Sequence, residues 1–327
     1  MRKITFREAI REALLEEMAR STTMFCLGED LVPQGGSFGV HKGLAELYPG
    51  RILQTPISEA AIVGVAVGGA LAGGPVVAEI MFSDFMTCCM DEVVNQAAKM
   101  RYMTGGQASV PLVIRAPCGL GKGVAAQHSQ TLEAWFMHVP GLQVAVPSTP
   151  ADAKGLLKTA IRSKDPTVFL EYKLLYALEG EVNEDPDLTI PFGVANIVRQ
   201  GRDVSVIATG RMVHRSMEAA AQLAQEGIEA EVIDVRTLSP LDLGTLEASV
   251  RRTSRAVVVD ESVLACSPAS EIAASISDSC FGYLDAPVKR IASPHVPKPF
   301  TPALEALSVP DVPQIEGAVR HVIGRRE

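Results

Sequence analysis

The chain has 327 residues and is 47% hydrophobic, enough for two domains with cores of their own. A net charge of −8, with no basic run longer than Arg325-Arg326, argues against a dedicated nucleic-acid binder. The six cysteines show neither C-x-x-C nor zinc-like spacing, which argues against a metal framework and points to a reducing compartment.

The N-terminus opens with an amphipathic helix over residues 5–20. Thr5-x-x-Glu8 reads as its capping box, and Phe6, Ile10, Ala13, Leu14 and Met18 as its apolar face. This is neither a signal nor a transit peptide, and the expected location is cytoplasmic. Residues 60–78 are apolar over a membrane-spanning length. Five glycines and Pro75 make them a buried helix followed by a buried strand instead.

A first βα array follows. The pattern predicts strands at 25–27, 76–80, 112–115, 143–146 and 168–171, with helices at 59–72, 90–103 and 151–162. Residues 178–191 are acidic and proline-bearing and read as a linker. The domains are therefore expected at 1–185 and 186–327. A second array has strands at 204–208, 230–235, 256–260 and 288–291 and helices at 212–226, 242–252 and 268–280. A proline-rich surface segment at 294–302 precedes a last helix at 312–323. The fold class is α/β, two parallel-sheet domains, with ligands expected beyond the strands' carboxyl ends.

Four features at those ends could carry chemistry. Glu59 is the only charge between Arg51 and Glu79. It suits a helix-start carboxylate, or a proton-exchanging group in an apolar pocket. Met81, Phe82 and Phe85 suit ordinary core, or a flat floor beneath an aromatic ring. The run Cys118-Gly119-Leu120-Gly121-Lys122-Gly123 is weak as a phosphate loop and reads better as a mobile turn. His128 beyond it suits a structural histidine, or a proton donor.

The segments Thr55-Pro-Ile-Ser-Glu-Ala60, residues 97–106, Ala125-Ala-Gln-His-Ser-Gln130 and Val258-Val-Asp-Glu261 together resemble one family along nearly the whole chain. It is the beta subunit of the thiamine-diphosphate-dependent component of 2-oxoacid dehydrogenase complexes, of the transketolase-like class. Residues 79–82, 173–181 and 210–214 are most similar to its acetoin branch.

The resemblance implies a pyrimidine-binding domain followed by a transketolase C-terminal domain. It implies that Glu59 meets N1′ of the cofactor's aminopyrimidine, that Phe85 packs on that ring with Ile57 and Met81 nearby, and that His128 lies near the reacting carbon. It further implies a potassium site at Leu112, Ala160, Ile161 and Asp165, with Ser163 where an Asp often stands. The chain has no Gly-Asp-Gly segment for the diphosphate's Mg2+. Half an active site is therefore expected here, with Mg2+ on an alpha subunit in an alpha-beta heterotetramer. The region near residues 285–287 and the last helix is the expected dock for a lipoyl-bearing acyltransferase core.

The implied reaction cleaves acetoin and passes the two-carbon unit to a lipoyl group. Oxidative decarboxylation of pyruvate or a branched-chain 2-oxoacid is the alternative. A dinucleotide-binding oxidoreductase would need G-x-G-x-x-G, a spacing that Gly64, Gly68 and Gly69 do not supply. A non-catalytic scaffold gives no reason for Glu59, Phe85 and His128 to stand together at strand exits.

Overall fold

The computed structural model describes residues 1–324; Arg325-Arg326, the short basic run, lies outside them. The chain forms two compact units. One comprises Met1–Cys118 and Trp135–Phe192, the other Gly119–Ala134 and the chain from Gly193 onward. The second unit thus includes a segment far upstream of the 178–191 stretch, which no composition change marks.

The first unit opens with β1 (Arg2–Thr5) and α1 (Phe6–Arg20). The Thr5 hydroxyl accepts from the Glu8 N–H and the Glu8 carboxylate accepts from the Thr5 N–H, so the capping box forms. The expected apolar face of α1 is fully buried. Then come β2 (Phe25–Gly28), α2 (Leu44–Leu47), β3 (Ile52–Gln54), α3 (Glu59–Leu71) and β4 (Val76–Glu79). The helix expected at 90–103 is not uniform. A π-helical turn at Glu92–Ala97 leads into α4 (Ala98–Met103), and Asn95 bonds back to the Asp91 carboxylate across it at 2.6 Å.

Next are β5 (Leu112–Cys118), the short helix α5 (Glu133–Met137), β6 (Gln143–Ala145), α6 (Pro150–Arg162), β7 (Thr167–Tyr172) and β8 (Glu179–Val182). Within this unit the strands run parallel in the order β6-β7-β5-β4-β2-β3. Every residue of β4, β5 and β7 is buried, as strands covered on both faces must be. The 178–191 stretch is partly ordered, because β8 pairs antiparallel with β1.

Helices α1 and α6 join through a ladder of ion pairs. Lys154 reaches Glu12 and Glu16 at 2.5 and 2.7 Å, Lys158 reaches Glu16 at 2.7 Å, and Arg162 reaches Glu17 at 2.6 Å.

The second unit contains β9 (Asn196–Arg199), β10 (Val204–Ala208), α7 (Arg211–Gln225), β11 (Ala230–Asp234), the short strand β12 (Thr237–Ser239), α8 (Leu243–Thr253), β13 (Ala256–Val263), α9 (Pro268–Ser279), β14 (Lys289–Ser293), α10 (Pro302–Leu307) and α11 (Val312–Ile323). Its five-stranded sheet has the order β14-β13-β10-β11-β9. The edge strand β9 is antiparallel to β11, where a wholly parallel sheet was expected. Its core packs Val204, Val206, Val257 and Val259 of the sheet against Met212, Leu223, Ile315 and Val319 of α7 and α11. The proline-rich segment is not simply surface, since Lys298 within it is buried. Among the described residues no helix is long and apolar enough to cross a membrane.

Candidate active site

In the first unit the candidate residues follow from the strand exits. Chain leaving β2 at Gly28 delivers Glu29, which is 7% exposed and whose Oε1 is buried without a hydrogen-bond partner. Burial, and then the negative charges of Glu59 and Asp30, push its carboxyl above the usual carboxylate range. Glu59 is the first residue of α3 and half-buried, and the Ser58 side chain makes no cap bond. Gly28-Glu29-Asp30 is one of the strand exits where ligands are expected, but nothing in the sequence singles out Glu29 there as a site residue. Only the fold brings it within electrostatic reach of a residue thirty positions on.

Chain leaving β4 delivers Met81 and, through a tight helical turn over Ser83–Cys89, Phe85; both are half-buried. Phe85 ends a row of rings. Its centroid lies 5.7 Å from Phe82, edge-on at 81°. Phe82 stands 5.8 Å from Phe38, which stands 5.0 Å from Tyr176. Each edge-on pair contributes on the order of 1 kcal/mol beyond burial. Ile57 is 81% exposed and lies outside this row in the isolated chain.

The row ends on buried ions. The Tyr176 hydroxyl donates to Glu171 Oε2 at 2.7 Å. Arg115 donates to Glu171 through Nε and Nη2 and to Glu79 through Nη1, each at 2.7 Å. His41 Nδ1 lies 3.2 Å from Glu79 Oε2. Burial raises the Glu79 carboxyl, but His41 and Arg115 outweigh it and hold the group below the usual range. Burial and the Glu171 charge push the Tyr176 phenol well above its ordinary value, so it remains a donor. Gly36 roofs Glu79: a Cβ there would come within 2.3 Å of Glu79 Oε1, and its φ of +81° also favours glycine. Sequence reasoning missed this network because its members lie on separate strands and loops.

His128 belongs to the second unit, on the segment Gly119–Ala134. The segment's base is closed by the Gly119 N–H donating to the Gln130 carbonyl at 3.1 Å, and the His128 N–H donates to the Ala125 carbonyl at 3.3 Å. His128 is half-buried. A cavity of about 450 Å³ in this unit is lined by Gln127, Gln130, Leu132, Val263, His295 and Lys298.

The four positions tied to potassium lie at the foot of the first unit's sheet. Ala160 and Ile161 end α6, Asp165 follows, and Leu112 starts β5, whose approach is joined to the same turn by the Val110 N–H donating to the Lys164 carbonyl at 3.0 Å. The Ala160 carbonyl already accepts from the Ser163 N–H, and Arg101 holds Asp165 Oδ1 at 2.5 Å. Among the described residues no group of three or more His, Cys, Asp or Glu side chains could hold a metal ion.

Two mainly parallel α/β units, the first with a carboxylate opening a helix that packs on the turn bearing Phe85, are those of a transketolase-like protein. The family model described as "Transketolase, pyrimidine binding domain" matches residues 2–179, and "Transketolase, C-terminal domain" matches residues 193–315. The chain is 51% identical to the Cupriavidus necator protein "Acetoin:2,6-dichlorophenolindophenol oxidoreductase subunit beta", covering 98% of this chain and 97% of that one. It is 44% identical to "Pyruvate dehydrogenase E1 component subunit beta-2, mitochondrial" of Oryza sativa subsp. japonica, covering 99% and 87%. A solved structure, "Split gene transketolase, inactive beta4 tetramer", superposes with a TM-score of 0.81 at 25% identity over 99% of each chain. The chain belongs to the family of beta subunits of thiamine-diphosphate-dependent dehydrogenase components, which are oxidoreductases.

Proposed function

We propose that this chain is the beta subunit of an acetoin-cleaving dehydrogenase component and supplies the pyrimidine half of its site. The observation that carries the reading is Glu59 at the start of α3, with the buried Glu29 beyond β2 in electrostatic reach of it, in a unit whose next strand exit presents Phe85. The geometry suits the flat, basic ring of thiamine diphosphate, which when bound supplies a nucleophilic carbon and an electron sink. The first unit would do two things for it. Glu59 would hold a proton at the pyrimidine N1′, with Glu29 in electrostatic reach of it. Phe85, with Met81 and Ile57, would keep the ring flat and dry.

His128 would donate its ring proton to the substrate's carbonyl oxygen. With no Gly-Asp-Gly in the chain, the Mg2+ and diphosphate are assigned to an alpha subunit. Its arrival is also expected to cover the exposed Ile57. The Asp285–Pro287 edge, beside a surface cavity of about 490 Å³, is assigned to the acyltransferase core. A potassium ion at Leu112, Ala160, Ile161 and Asp165 would compete with the Arg101–Asp165 pair.

Acetoin is favoured over pyruvate or a branched-chain 2-oxoacid by the 51% likeness to an acetoin-named relative against 44% and 41% to relatives named for those acids. The test is turnover of the chain reconstituted with its alpha partner. Acetoin at least as good a substrate as pyruvate supports the reading; turnover of pyruvate alone overturns the acetoin assignment.

A further inference from the structure

The segment that carries His128 leaves β5 and folds with residues much later in the chain, so something in the second unit must hold it. Its backbone is unfavourable by itself. Lys122 and Ala125 adopt φ of +56° and +62°, a region costly for residues with a Cβ. Two backbone donors on the segment meet buried carboxylates. The Leu120 N–H donates to Glu261 Oε1 and the Gly123 N–H to Glu305 Oε2, both at 2.9 Å. Glu261 has no exposed surface, and Arg211 Nε holds its other oxygen at 2.7 Å. Glu305 is 6% exposed and sits on α10, after the proline-rich strap. A Cβ on Gly123 would stand 3.2 Å from the Phe300 carbonyl, so the segment lies close against that strap.

A single ammonium joins the two anchors. Lys298 Nζ donates to Ser293 Oγ at 2.7 Å and to the Ser308 carbonyl at 2.6 Å. The Ser293 hydroxyl donates to the Glu261 carbonyl at 2.6 Å, and the Ser308 hydroxyl to the Glu305 carbonyl at 2.7 Å. Lys298 therefore ties the ends of β14 and α10, and through them the backbones of both carboxylates. Hydrogen bonds from N–H to an ionised carboxylate are short and strong, and burial strengthens them further.

We propose that Glu261 and Glu305 are positioning residues that clamp residues 120–128 through the Leu120 and Gly123 amides, with Lys298 locking the clamp, so that His128 is held in one place for proton transfer. The proposal rests on the reading of His128 as the proton donor. It assigns work to a buried lysine and two buried carboxylates that the chemistry itself does not use.

The test separates the clamp from the function. In Glu305→Ala the acceptor is lost; in Glu305→Gln an amide oxygen remains. Hydrogen exchange of the full chain is followed by mass spectrometry, with residues 204–208 as internal reference. Glu305→Ala is expected to speed exchange over residues 120–128 by about tenfold, and Glu305→Gln by much less. Lys298→Met is expected to move the same peptides in the same direction. In the reconstituted enzyme Glu305→Ala lowers kcat by about tenfold with little change in KM, and Glu305→Gln restores most of it. Unchanged exchange in Glu305→Ala overturns the clamp. Faster exchange with unchanged kcat overturns the positioning role. A wild-type enzyme inactive on acetoin and pyruvate alike counts against the functional reading, and exchange alone then decides the clamp.

Discussion

Arg115 and Glu171 form a two-pronged pair, Nε to Oε1 and Nη2 to Oε2, both at 2.7 Å, and neither side chain has exposed surface. The same guanidinium also serves Glu79, so one cation balances two buried carboxylates, with His41 alongside. The pair is the inner support of the aromatic row that ends at Phe85.

Arg115→Met is therefore expected to destabilise the protein by about 3–5 kcal/mol, because it leaves two carboxylates buried without their partner. Urea unfolding checks this. A loss under about 1 kcal/mol would mean that the network is incidental to stability.

Phe85→Leu keeps an apolar side chain but removes the flat ring. Thiamine diphosphate affinity of the reconstituted enzyme is expected to fall about tenfold, the order of one lost aromatic stack. Calorimetric titration in the presence of magnesium measures it, and unchanged affinity would remove Phe85 from the cofactor site.

Glu59→Gln is expected to abolish turnover while leaving assembly intact, since shape is kept and the ionisable proton is lost. It carries a second consequence. Removing the Glu59 charge relieves one of the causes that raise Glu29, so the Glu29 carboxyl should titrate at lower pH in the variant. Infrared titration of the carboxyl bands follows this directly; an unmoved Glu29 would show that the pair is uncoupled.

Burial pushes the Lys298 ammonium down to about 8 from its ordinary 10.5. The folded chain then binds this proton less tightly than the unfolded chain. Its contribution to stability must rise as pH climbs from about 8 to 10.5, by about 3 kcal/mol at most. Below that window the cost of the buried charge is constant. Lys298→Met removes the rise, so the stability gap between wild type and variant should change with pH only above about 8. A gap constant across that range would show that the amine does not titrate there.

Much of this architecture could be read from residue patterns, and the reason is local. The last helix needs only its own residues: Asp311 and Gln314 form a reciprocal cap, Pro313 sits in the first turn, and Gly324 stops it at φ +82°. The same holds for α3, where the apolar glycine-rich run dictates burial and Glu59 marks the start. Legibility ended where partners are distant. The acidic stretch near 180 conceals β8, because a strand that pairs with β1 needs no apolar alternation of its own. The clamp joins residues 141 and 182 positions apart. Lys298, among prolines, has the composition of surface and the location of core. Glu59 was visible as a candidate, but the carboxyl of Glu29 within its electrostatic reach was not.

The excursion of residues 119–134 has a practical and evolutionary consequence. A gene cut near residue 185 would separate the His128 segment from Glu261 and Glu305, and the excised second half would carry two carboxylates with their backbone donors missing. The two halves therefore cannot be shuffled as independent cassettes at that point. Any recombination that exchanges the second half must bring the excursion with it, or inherit a histidine with no scaffold beneath it.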